Sequence, residues 1–229
     1  MLVVGFPAGV FGTNCYVLAT APGAECVVID PGMDAVDPLR DVLSEHDLKP
    51  VAVVLTHGHL DHTFSVVPVC SGYDIAAYLH PDDAPMLADP VTWHGPALAA
   101  IVAGMPIPEP DDLRFLTGGV ELDLAGVRLM PRHAPGHTLG STVFEVTLEN
   151  GPGLLSGDLL FAGSIGRVDL PGGSMSQMTA SLARVVLPLD DATVVLPGHG
   201  PVTTIGRERA GNPYLQDLVD EPAAPRRSL

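Results

Sequence analysis

Three histidines and one aspartate fall within six residues in the run Thr56-His57-Gly58-His59-Leu60-Asp61-His62. Imidazole nitrogens and carboxylate oxygens are ligands for zinc and related divalent ions. The run follows Val51–Leu55, a continuous apolar stretch of strand length, as suits a strand buried on both faces. At the carboxyl end of such a strand the chain turns before a helix, expected over about His62–Val69, so donors converge from several directions. Gly58 allows the tight backbone path. Alternate residues point to different sides, so two ions can share the segment. Three more candidate donors are each preceded by glycine. His137 lies in Ala134-Pro135-Gly136-His137-Thr138, Asp158 in Leu155-Ser156-Gly157-Asp158, and His199 in Pro197-Gly198-His199-Gly200. Together with the first run they make seven candidate ligands in a consistent order.

The series HxHxDH, PGHT, SGD and PGHG resembles the metallo-β-lactamase superfamily. The stretch Ser156–Ser174, SGDLLFAGSIGRVDLPGGS, is similar to the small glyoxalase II-like hydrolases, and Asn14-Cys15-Tyr16 and the Asp30-Pro31-Gly32 turn fit that group. The resemblance covers roughly residues 1–210. It implies an α/β fold, a four-layer αββα sandwich with a dinuclear site at one edge. Carried over position by position, it makes His57, His59 and His137 ligands of one ion and Asp61, His62 and His199 ligands of the other. Asp158 bridges the two, and Asp61 and Asp158 count as catalytic through the ions they hold. The implied cofactors are two divalent ions, zinc, iron or manganese, with a slight preference for zinc. Nitrogen and oxygen donors without a thiolate do not choose among them.

The expected chemistry follows from charge. Two ions sharing one water lower its pKa toward about 7, and the bridging hydroxide then attacks a carbonyl carbon. A thiolate leaving group needs little protonation, its thiol pKa being about 8.5. Such a leaving group suits a site without an obvious general acid, and the resemblance implies hydrolysis of a small-thiol thioester similar to S-lactoylglutathione. Thirty residues follow His199, with no lysine among them, which points away from the basic glutathione-binding domain of full-length glyoxalase II. A mononuclear iron persulfide dioxygenase and a non-catalytic metal-binding module are the alternatives.

The elements that must position these residues are short. Strands are expected at Leu2–Phe6, Asn14–Ala19, Glu25–Ile29 and Val51–Leu55, with a helix over Ala35–Glu45. In the second half, Val120–Leu124, Val127–Met130, Ser141–Leu148, Gly153–Leu155 and Thr193–Leu196 read as strands, and Met175–Leu187 as a helix. Strand clusters and helices in both halves suit two sheets packed face to face with helices outside. Residues 90–112, rich in Pro, Gly and Ala, read as an insert within a domain of residues 1–210, and residues 211–229 as a C-terminal tail.

Composition limits the partners. The 229 residues carry a net charge of −16 and a single lysine, Lys49, so nucleic acid and anionic membranes are disfavoured and a small molecule is the expected partner. Oligomeric state is left open. The longest apolar run, Ala97–Met105, is too short to cross a membrane, and the N-terminus lacks a basic leader, so a cytoplasmic location is expected. Cys15, Cys26 and Cys70 read as small buried hydrophobes. Among the other histidines, His46 is placed at a helix end, His80 at a surface turn, His133 in a structural role, and His94 in a structural role beside the alternative of facing substrate. Arg167 and Asp169 are expected to pair near the metals, with Arg167 also a candidate substrate contact. Tyr214 is expected to pack the C-terminus.

Overall fold

The computed structural model of the chain describes residues 1–102, 107–117 and 119–220. Its first half forms β1 (Leu2–Ala8), β2 (Thr13–Ala19), β3 (Glu25–Ile29), α1 (Val36–Glu45), β4 (Lys49–Val54), α2 (Leu60–Thr63), α3 (Val66–Tyr73) and β5 (Ala76–Leu79). A 3₁₀ turn (Pro81–Asp83), α4 (Ala84–Ala88), α5 (Pro90–Ile101) and β6 (Leu113–Phe115) follow. The second half forms β7 (Leu122–Leu124), β8 (Val127–His133), β9 (Thr142–Leu148), β10 (Gly151–Gly157), α6 (Met175–Ser181), β11 (Val194–Pro197), β12 (Thr203–Thr204), α7 (Ile205–Gly211) and α8 (Pro213–Asp220).

One six-stranded sheet runs β1-β2-β3-β4-β5-β6 and the other β12-β11-β10-β9-β8-β7. The first is antiparallel through β3 and parallel from β3 to β6. In the second, only β10 and β11 are parallel. Strand alternation sorts the side chains into layers. On β2, Cys15, Val17 and Ala19 face α1 and α3, where they meet Leu39, Leu43, Val66 and Val69. The intervening Tyr16 and Leu18 face the other sheet, against Leu129, Phe144, Leu155 and Leu196. A third cluster seals the outer face of the second sheet with Met178, Leu182, Val185, Ile205 and Leu215. These three apolar layers make the four-layer αββα sandwich.

Several boundaries differ from the sequence reading. The helix expected over His62–Val69 is two helices. It starts earlier, at Leu60, and breaks where Ser65 N–H turns to the Pro31 carbonyl at 3.0 Å. The Val120–Leu124 strand begins at Leu122, because Val120 N–H closes a turn onto the Thr117 carbonyl. The Met175–Leu187 helix ends in a wide turn over Leu182–Val186, with Leu187 N–H bonded to the Leu182 carbonyl. The insert at 90–112 opens as a helix, α5; its residues 103–106 lie outside the described residues.

The tail assigned to 211–229 is a packed element at its start. Leu215 of α8 is fully buried in the outer cluster, while Tyr214, the residue expected to pack there, is 40% exposed. Residues 221–229 lie outside the described residues. Truncating Leu215 to alanine removes a fully buried leucine, so Leu215→Ala should lower stability by about 2–5 kcal/mol in urea titration. A loss under about 0.5 kcal/mol, the range of an ordinary surface change, would contradict this packing.

Candidate metal centre

The loops after β4, β10 and β11, the loop between β8 and β9, and helix α2 meet at one edge of the two sheets. His57 and His59 follow β4, and Asp61 and His62 sit on α2. His137 comes from the β8–β9 loop, Asp158 follows β10, and His199 follows β11. Donor atoms of His57, His59 and His137 lie within 4.8 Å of one another, as do those of Asp61, His62 and His199, and those of His57, His62 and Asp158. His137 Nε2 lies 2.7 Å from His59 Nδ1 and 3.1 Å from His57 Nε2. His62 Nε2 lies 3.3 Å from His199 Nε2, which is 3.1 Å from Asp61 Oδ2. The Asp158 carboxylate faces both groups, with Oδ1 3.3 Å from His62 Nε2 and Oδ2 3.5 Å from His137 Nε2. All seven candidate ligands are thus brought together.

The outward nitrogens set the inward ones. His137 Nδ1 donates to the Arg167 carbonyl at 2.7 Å. His57 Nδ1 donates to Thr56 Oγ1 at 3.0 Å, and His62 Nδ1 to Asp30 Oδ2 at 3.0 Å. With Nδ1 donating, Nε2 is left to offer a lone pair toward the centre. Asp30 is the common anchor. This buried carboxylate also accepts from Thr56 N–H at 2.8 Å and Thr56 Oγ1–H at 2.6 Å. A single carboxylate therefore orients both His57, through Thr56, and His62.

Asp83 performs the matching task on the other flank. Fully buried, it accepts from Gly58 N–H at 2.9 Å, Gly140 N–H at 2.6 Å and Thr138 Oγ1–H at 2.7 Å. It thereby ties the loop carrying His57 and His59 to the loop carrying His137. Burial raises its pKa despite those three bonds. The His199 loop is held by β2. Asn14 Nδ2 donates to the carbonyls of Pro197 and Gly200, both at 2.9 Å, and Tyr16 Oη–H to Pro197 at 2.9 Å. Gly198 is required there, since a Cβ would stand 2.2 Å from Asp158 Oδ1. Gly136, at φ +145°, likewise lets the His137 loop touch the Met178 backbone.

The side chains polarise one another. Burial, reinforced by neighbouring imidazoles, pushes His57 and His59 well below the ordinary histidine pKa. Burial also opposes charge on His62, but Asp158 and Asp61 outweigh it and raise His62 well above that value. Burial alone would raise Asp61 and Asp158; the imidazoles beside them lower both. Asp158 Oδ1 and His59 Nε2 are buried without a hydrogen-bond partner. An unpartnered carboxylate oxygen among facing imidazole nitrogens is a donor set suited to divalent cations. The cluster therefore fits two metal ions.

Above it opens a cavity of about 410 Å³, lined by Phe11, Phe161, Leu170, Arg167 and His94 besides the donors. Arg167 and Asp169 pair as expected, with Nε and Nη2 at 2.7 and 2.8 Å from the carboxylate. His94 is held in a structural role, as the sequence reading preferred, and it also lines this cavity, as the alternative had it. Its Nδ1 donates to the Pro90 carbonyl, its Nε2 accepts from Leu60 N–H, and its ring meets that of His59 edge-on at 4.7 Å. His133 stays out of the cluster and donates from Nε2 to the Leu139 carbonyl at 2.8 Å. Cys15, Cys26 and Cys70 are buried and free. No helix among the described residues is long and apolar enough to cross a membrane.

Asp30 and Asp83 were not recognised as supports. Asp30 had a signal, since it ends a buried strand in Asp-Pro-Gly. Asp83, in His-Pro-Asp-Asp, had none.

The chain's similarities agree with this geometry. Residues 8–199 match the model of the metallo-beta-lactamase superfamily. An uncharacterized protein of Mycobacterium tuberculosis is 46% identical over 222 residues, 95% of this chain and 99% of that one. The hydroxyacylglutathione hydrolase GloC of Haemophilus influenzae is 32% identical over 212 residues, 91% of this chain and 95% of that one. Among solved structures, BLEG-1, described as a B3 metallo-beta-lactamase, superposes with a TM-score of 0.80 at 37% identity over 93% of this chain and 99% of that one. TTHA1623 in a di-iron-bound form gives 0.75 at 37% identity, covering 93% and 100%.

If Asp30 orients both halves of the cluster, Asp30→Asn should weaken metal binding about 10–100-fold, read by equilibrium dialysis with zinc, while the circular dichroism spectrum is kept. Unchanged affinity would show that the anchor is dispensable.

Proposed function

This chain belongs to the metallo-β-lactamase superfamily, and from that premise we propose that it hydrolyses thioesters of small thiols. The observation that carries the reading is the meeting of two donor groups on one carboxylate, Asp158, beneath an apolar-walled cavity. His57, His59 and His137 would hold one divalent ion, Asp61, His62 and His199 the other, with Asp158 between them. When bound, such ions supply an acidified water and charge stabilisation for the developing oxyanion.

The remaining tasks fall to the chain's own groups. Phe11, Phe161 and Leu170 would pack the acyl and thiol stems and exclude bulk water. Arg167 commits Nε and Nη2 to Asp169, leaving Nη1 to meet an anionic end of the substrate. No general acid stands free among the cavity's described lining residues, since His94 has both nitrogens engaged. A thiolate leaves without needing a proton, because its conjugate acid has a pKa of about 8.5. The similarity to a hydroxyacylglutathione hydrolase supports the thioester, and the similarity to a di-iron-bound protein supports a two-ion centre.

The likeness to BLEG-1 favours a second reading, hydrolysis of a cyclic amide. That reaction is served less well here. An amine leaving group needs a proton, and the described lining residues offer no uncommitted general acid for it.

One preparation of metal-replete protein tests the proposal against a panel of thioesters, a chromogenic β-lactam and a persulfide with an oxygen electrode. Thiol release that chelation abolishes, with neither β-lactam opening nor oxygen uptake, is expected. Oxygen consumption with one iron per chain would overturn the hydrolase. Asp158→Ala should lower metal content and turnover together, turnover by about 10²-fold or more. Full metal content and turnover in that variant would contradict the bridging role.

A further inference from the structure

Away from the seven donors, a second group of metal-ligating side chains converges. His80 follows β5 of the first sheet and caps the Pro81–Asp83 turn. His133 ends β8 in the second sheet. Their rings stack, with centroids 4.1 Å apart and planes within 6°. Asp82 Oδ2 lies 3.7 Å from His80 Nδ1, and one donor atom from each of the three residues lies within 4.8 Å of the others. We propose that His80, Asp82 and His133 form a separate binding site for one divalent transition-metal ion, joining the two sheets.

The hydrogen bonds leave suitable lone pairs. His133 donates from Nε2 to Leu139, so its Nδ1 carries a lone pair. His80 Nδ1 accepts from Asp82 N–H at 3.2 Å, so its lone pair already points toward Asp82. Burial and the adjacent His133 hold His80 below its ordinary pKa, which keeps the ring available to a metal. Asp82 is half-exposed and supplies the negative charge. The cation nearby, Arg184, is bonded to the His133 backbone carbonyl. Zinc bonds of about 2.0–2.2 Å set tetrahedral ligand atoms roughly 3.4 Å apart. His80 Nδ1 and Asp82 Oδ2 stand 3.7 Å apart, and the His80 ring turns out of its stack on His133 so that both in-plane lone pairs meet the ion. The ion replaces the Asp82 N–H contact, and water completes its coordination. Imidazole-rich sites of this kind take zinc, copper or nickel.

The location gives the site a purpose. Asp82 precedes Asp83, which ties Gly58 to Gly140, and His133 holds the carbonyl of Leu139, next to Gly140. An ion here would brace the two loops that present His57, His59 and His137.

Zinc titrated into the metal-free full chain, followed by calorimetry and by metal analysis after dialysis, tests the site independently of any enzymatic assay. The unaltered chain should bind a third, weaker equivalent. His133→Phe, which keeps a ring against His80, should lose that equivalent and retain two tight ones. Should His133→Phe fail to fold, Asp82→Asn on the surface serves instead and should weaken the third equivalent at least about 10-fold, the scale of losing a metal-supporting group. Only two equivalents in the unaltered chain, or a third that both variants keep, would overturn the proposal.

Discussion

Imidazole nitrogens that face one another at 2.7–3.3 Å cannot keep their lone pairs unshared, and the architecture of this edge follows from that constraint. The arrangement is stable only when positive charge sits between the rings, and the carboxylates of Asp61 and Asp158 add to that demand. Neither sheet alone could create it. The donors come from the ends of strands in both sheets, and the apolar layer between the sheets holds those ends in register.

Around the donors lies a set of buried acceptors that prevent the rings from turning away. Asp30 holds His62 directly and His57 through Thr56, while the Arg167 carbonyl holds His137. Asp83 joins two donor-bearing loops that are far apart in sequence. The pairing of Arg167 with Asp169 fixes the segment whose carbonyl serves His137. That one loop thereby connects the orientation of a metal donor to the wall of the substrate cavity.

Much of this was legible in the sequence, for physical reasons. A dense His-Asp run after a buried strand has few uses other than holding cations, and glycine before each distant donor marked places of close backbone approach. Strand clusters and helices recurring in both halves pointed to the layered packing. Asp83 was hidden because a buried acceptor carries no local pattern; its partners lie 25 and 57 residues away. The short strand Leu113–Phe115 was missed because it depends on sheet pairing more than on its own propensity. The helix at Pro213–Asp220 could have been read from proline at its first position and from the spacing of Leu215 and Leu218, which outweigh the loose composition that follows.

X-ray absorption or anomalous diffraction on the metal-loaded chain tests the central claim most directly. Two ions about 3.5–4 Å apart, ligated by nitrogen and oxygen from the seven residues and both touching Asp158, are the predicted result. A lone ion in the cluster, or ligation that leaves out Asp158 or any of the five histidines, would contradict it.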